Sequence, residues 1–180
     1  VEPPLLVTTP VNAFHDVGPV CVQTLATDAE AHCHPLRPRD ATTLAGKPVL
    51  VFERRERDDE EDDDDPVELR VWLQRLKADG SADGAPVDST LRYEPATRGM
   101  GLVAAAGSQS GMRLLWHESH EARREGRRSV AQARLYSARL DEEGKLVGAS
   151  REVVLSGDRG FGHVVGHDRA RLLIDRGRAV

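Results

Sequence analysis

Several things are scarce in this chain, and each scarcity excludes something. Lysine occurs only at Lys47, Lys77 and Lys145, and the formal net charge is −5. A nucleic-acid surface needs a basic stripe, so no nucleic-acid partner is expected. No apolar run approaches the roughly 20 residues that cross a bilayer as a helix, so no membrane span is expected. Cysteine occurs twice, at Cys21 and Cys33, which leaves room for a single bridge. No P-loop and no Rossmann glycine pattern is present. Residues 107–111, GSQSG, have Gln109 at their centre where a nucleophile elbow needs serine. Aromatic residues make up 4% of the chain.

The 180 residues suffice for one domain with a real core, or for two small ones. Hydrophobic content is 39% and charged content 31%, and arginine greatly outnumbers lysine. That usage, with abundant Ala and Gly, points to a GC-rich genome rather than to a function. The chain starts at Val1 rather than Met, as expected of a processed chain or a piece of a longer one.

The chain contains a repeat. Residues 131–149, AQARLYSARLDEEGKLVGA, align without a gap on residues 67–85, VELRVWLQRLKADGSADGA, at a shift of 64. Arg70/Arg134, Arg75/Arg139, Leu76/Leu140, Gly80/Gly144, Gly84/Gly148 and Ala85/Ala149 are identical. Trp72 aligns with Tyr136. Upstream, Leu50 aligns with Leu114 and Phe52 with Trp116. Self-similarity at a fixed period governs the fold reading.

Within each copy the pattern is that of strands. Residues 67–76 alternate, with Val67, Leu69, Val71 and Leu73 on one side and Glu68, Arg70, Trp72 and Gln74 on the other. Period two predicts a half-buried strand. Residues 77–84, KADGSADG, and 141–148, DEEGKLVG, read as turns. Residues 47–54, 85–93, 99–106, 112–119, 131–140 and 150–155 read as further strands. Residues 118–140 are rich in helix formers, but their counterpart alternates and contains Pro66, so a helix is rejected. A third copy begins at residues 160–166, GFGHVVG, and 171–174, RLLI.

Upstream of the repeat, residues 1–11 hold three prolines and read as an edge strand or extended arm. Residues 18–25 read as a strand, and residues 26–45 as a long loop carrying Cys33. A Cys21–Cys33 disulfide would pin that loop, as fits an exported protein. The organisation is then 1–45, an arm with a first strand and a Cys-containing loop; 46–98, a first repeat; 99–155, a second; and 156–180, the start of a third.

Four strands per unit, joined by hairpins in tandem, predict an all-β fold of four-stranded antiparallel blades of β-propeller type. The strand-turn motif R-L-x-x-x-G-x-x-x-G stands at residues 75–84 and 139–148. Over roughly residues 46–174 the chain resembles bacterial secreted, propeller-like repeat proteins. The resemblance implies a blade-like unit and an extracytoplasmic location (secreted, periplasmic or cell-surface), and says little about activity. Two full units and two pieces do not close a ring of at least four blades, so the propeller is expected to be incomplete within this chain. A β-sandwich with a different closure is the alternative.

Candidate chemistry is thin. His15, His32 and His34, with the cysteines, offer nitrogen and sulfur ligands for Zn²⁺ or copper, but at no standard spacing. The acidic run Asp58, Asp59, Glu60, Glu61, Asp62, Asp63, Asp64 and Asp65 has charge for Ca²⁺ but lacks the shaped loop with a Gly turn. It reads as a solvated loop tip. The matching segment of the second copy is a loop rich in arginine: Arg123, Arg124, Arg127 and Arg128. The two loops are candidate interaction surfaces. His117, Glu118, His120 and Glu121 resemble a zincin motif, but the histidines are three apart on a strand, so they point to opposite faces. No catalytic residue and no cofactor is expected. The expected role is a binding or assembly module of an exported protein, completed by a partner chain or by a cleaved remainder of the same polypeptide. The alternative is a metal-dependent enzyme or metal-binding subunit using His15, His32 and His34.

Overall fold

The computed structural model describes residues 5–8, 19–25, 30–35, 38–55, 68–94, 101–125, 128–153, 174–175 and 178–179. The described chain is all-β. The first sheet holds β1 (Leu5–Thr8), β2 (Val20–Thr24) and β3 (His32–His34), in that order. The second is a meander of β4 (Pro38–Leu44), β5 (Lys47–Arg55), β6 (Leu69–Arg75) and β7 (Val87–Tyr93). The third is a meander of β8 (Leu102–Ser108), β9 (Gly111–Glu125), β10 (Arg128–Leu140) and β11 (Leu146–Glu152). Two short strands, β12 (Ile174–Asp175) and β13 (Arg178–Ala179), pair with each other. Every pairing within these sheets is antiparallel.

The second sheet lies between the other two, and β5 shows it. Val49, Leu50, Val51 and Phe52 are all at most 1% exposed. A strand covered on both faces is a continuous apolar run rather than an alternating one. Leu50 packs with Val20, Val22 and Leu76, against the first sheet. Val49, Val51, Val71 and Leu73 join Met112, Leu114, Trp116 and Leu140 in the core between the second and third sheets. Each such aliphatic side chain contributes about 1.5–3 kcal/mol relative to exposure.

The repeat determines how the sheets stack. Leu50 and Leu76 face the sheet before them, and so do their equivalents Leu114 and Leu140. Gly80 seats against Val22 of the first sheet, and Gly144 seats against Leu73 of the second. Equivalent residues make equivalent contacts with the preceding sheet, so the sheets follow one another head to tail. Both glycines have positive φ, 91° and 87°, and both end the strand-turn motif's first half.

Three local expectations are corrected. Residues 26–45 are not one long loop: β3 and β4 lie within them. In β4 the polar side chains bond the next sheet, so polarity there does not mean solvent. Ala45 and Gly46, at φ 52° and 77°, form the tight turn into β5. The described residues of the arginine-rich segment are strand rather than loop. β9 runs to Glu125 and β10 starts at Arg128, with Arg123 opposite Val130, Arg124 opposite Ser129 and Glu125 opposite Arg128. The backbone ladder continues there whatever the side-chain charge, because ladder bonds use only main-chain groups. Finally, β11 starts at Leu146, so the turn before it is shorter than residues 141–148.

Candidate functional site

The seam between the second and third sheets is built from β4 and β8. Asp40 Oδ2 accepts from Ala105 N at 2.7 Å, and Thr42 Oγ1 accepts from Gly107 N at 3.1 Å. Ala45 N donates to Ser108 O at 3.0 Å. The backbones approach so closely at Gly107 that a Cβ there would overlap the Thr43 carbonyl oxygen. Edge amides of β8 are thus satisfied by side chains of the neighbouring sheet, which removes an exposed template for aggregation.

One buried carboxylate anchors the same seam. Glu53, whose side chain is 4% exposed, accepts from the Tyr93 hydroxyl, from Leu102 N and, at 2.6 Å, from Arg39 Nε. Burial, then the Glu53 charge, pushes the Tyr93 phenol far above its usual range. The Tyr93 ring lies 5.5 Å from that of Trp116, which in turn stacks on Tyr136 at 5.9 Å. Glu53, Tyr93 and Arg39 look like an acid–base cluster by residue type. Their partners are the backbone and each other, so the geometry is that of a clamp between sheets.

The far face of the third sheet is different. Arg113, Ser137, Ala138, Arg139, Val147 and Arg151, with Gly148 and Ala149, line an open cleft of about 340 Å³. Arg113 stands opposite Arg139 across β9 and β10, and Arg151 stands opposite Ser137 across β10 and β11. Val147 is 46% exposed. At the same places on the second sheet stand Val49, Leu73, Arg75 and Val87, which the third sheet covers. The comparison of copies was available in sequence and would have marked this face: Val49 becomes Arg113, Leu73 becomes Ser137 and Val87 becomes Arg151. For Glu53 the sequence carried no signal, since its equivalent is His117.

Other sequence candidates fall as follows. Cys21 and Cys33 are directly opposed on β2 and β3 and are joined by a disulfide, with Cα atoms 4.0 Å apart. Neither thiol is therefore free to ligate a metal. His34 is buried and its Nε2 donates to Gly80 O at 3.0 Å, tying the first sheet to the second. His32 is half-buried on the same strand. His15, the acidic run 58–65 and Arg127 lie outside the described residues. Among the described residues, no three His, Cys, Asp or Glu side chains group as a metal site. His117 and His120 lie on β9. Half-burial holds the His117 imidazole below its ordinary pKa, which favours the neutral ring. No described helix is long and apolar enough to cross a membrane.

No protein-family model matches this chain, and no curated protein and no solved structure is similar to it.

Proposed function

We propose that this chain is a non-catalytic binding or assembly module of an exported protein, and that its sheets are blades of an incomplete propeller. A further unit, from a partner chain or from the same polypeptide, completes the stack. One observation carries the reading. The face that the second sheet turns to the third has a positional counterpart on the third sheet, and there Arg139 and Arg151, the equivalents of Arg75 and Val87, face solvent.

The blade reading draws support from how the sheets meet. β4 and β8 are in backbone contact, while the other margin is bridged by long side chains, Lys145 Nζ to Asp88 O at 2.7 Å and Arg75 Nη2 to Glu142 O at 2.8 Å. Sheets close at one margin and splayed at the other form a wedge, which is the element from which rings are assembled. The disulfide supports an oxidising, extracytoplasmic compartment. The test is native mass spectrometry of protein taken from its source without denaturant. A stable complex heavier than the 19.7 kDa chain is expected. A compact monomer with slow amide exchange throughout β9–β11 would refute the reading.

A further inference from the structure

We propose that the cleft on the far face of the third sheet docks an acidic turn of a partner chain. The proposal rests on the reading of the chain as an incomplete stack, and it names the chemistry of what completes it. The template is inside the molecule. Where the third sheet covers the second, the covering element is the turn at Asp141, Glu142, Glu143 and Gly144. Its Glu142 carbonyl accepts from Arg75 Nη2, and Gly144 seats on Leu73.

The third sheet keeps half of that receptor and changes the other half. Arg139 repeats Arg75, and its Nη2 donates to Ser110 O of its own sheet at 3.3 Å. Ser137 replaces Leu73, which opens space and supplies a hydroxyl. Arg113 and Arg151 replace Val49 and Val87, turning two apolar contacts into guanidinium groups. Arg113 and Arg139 are directly cross-strand, an arrangement that like charges disfavour. Among the described residues, none of these three arginines is ion-paired to a carboxylate. An acidic turn answers each feature. Its main-chain carbonyl takes Arg139 as Glu142 takes Arg75, and its carboxylates take Arg113 and Arg151 in forked, charge-assisted hydrogen bonds.

The experiment uses the intact chain and the labelled peptide Leu-Asp-Glu-Glu-Gly-Lys-Leu, the sequence of residues 140–146. Its amide analogue, Leu-Asn-Gln-Gln-Gly-Lys-Leu, is the control. Saturable binding is expected, about tenfold weaker for the amide peptide and for an R113Q/R151Q double variant, and weakened by salt. Absence of saturable binding up to millimolar peptide overturns the proposal. So does equal binding of the amide peptide, or full displacement by tripolyphosphate at concentrations where an acetylated glutamate peptide has no effect. Native mass spectrometry of the double variant separates the two readings. If it assembles like the parent chain, the cleft proposal falls and the incomplete stack stands. If the parent chain is itself a lone monomer, the stack reading falls, and the peptide titration alone decides the cleft.

Discussion

Arg75 donates through Nη2 to the carbonyl oxygen of Glu142, 67 residues further on, and so ties the outer part of the second sheet to the turn of the third. Arg139 occupies the equivalent place one unit later. The two arginines therefore differ in what removing them should do. R75A should lower stability by about 0.5–1.5 kcal/mol, the net value of a typical hydrogen bond. R139A gives up only a longer bond, 3.3 Å, to Ser110 O of its own sheet and relieves the cross-strand pairing with Arg113, so it should cost less than R75A, under about 0.5 kcal/mol. Urea unfolding of the two variants side by side checks this. Equal losses would show that Arg75 acts through its own sheet and not across the seam.

The contact of Gly107 with Thr43 leaves no volume for a side chain. G107A must separate β4 from β8 or bend one of them, at about 1–3 kcal/mol by the usual cost of overpacking. Gly84 is a useful contrast. It has open space around it but a φ of 78°, so G84A should cost only backbone strain, about 1 kcal/mol. Thermal melts of both variants test the order, with G107A the lower.

Removing Glu53 leaves the Tyr93 hydroxyl and the Leu102 amide without their acceptor. E53A should therefore destabilise by about 1–3 kcal/mol, the range for orphaning a buried polar group. Y93F in the E53A background should recover part of that loss, because it removes one of the orphans. A double-mutant cycle measures the recovery. Additive losses would mean that the two side chains do not act as a pair.

His117 gives the fold a pH dependence of known sign. Its folded pKa lies below the ordinary value of 6.5 because burial disfavours the charged ring. Well above 6.5 neither the folded nor the unfolded chain holds the proton, and the contribution to stability is complete. As pH falls from there through the folded pKa, the unfolded chain binds the proton first and the contribution is lost. The midpoint of urea unfolding should fall with pH across that window, and less steeply in H117Q. Identical slopes for parent and variant would contradict the assignment.

Reduction of the Cys21–Cys33 bridge should act on the first sheet. The sequence separation is 12, for which chain-entropy models give about 3 kcal/mol. A C21S/C33S variant should lose exchange protection in β1–β3 first and keep it in β5 and β6, which the third sheet still covers. Uniform loss across all three sheets would show that the first sheet is required for the others to fold.

The elements readable from sequence were those whose pattern answers to burial alone. The alternation of Leu69, Val71 and Leu73 marks β6, and all three are buried together. The identical Leu76/Leu140 and Gly80/Gly144 pairs do the same packing in each copy. The opposed cysteines were legible too. What escaped was polarity used inside the molecule. Asp40 and Thr42 make β4 look like a loop, yet both accept from amides of the next sheet. The arginines at 123, 124 and 128 look like a solvated turn, yet the main chain beneath them is paired. In both cases the side chain's affinity for water says nothing about the main-chain hydrogen bonds. The Glu53 clamp escaped for a related reason, because its partners lie 40 and 49 residues away and no short-range spacing encodes them.

In this stack each sheet turns the same side of itself towards its predecessor, so the two ends of the molecule are never alike. An interface of that kind has no twofold axis and does not satisfy itself in pairs. What ends such a series is either rotation that brings the last member back to the first, or a member whose outer face no longer fits the next. The exchange of Val49, Leu73 and Val87 for Arg113, Ser137 and Arg151 is a change of the second sort. It makes the third sheet a poor receptor for another copy of its own apolar front, so a unit that follows on that side has to present a different face from the one duplication supplies.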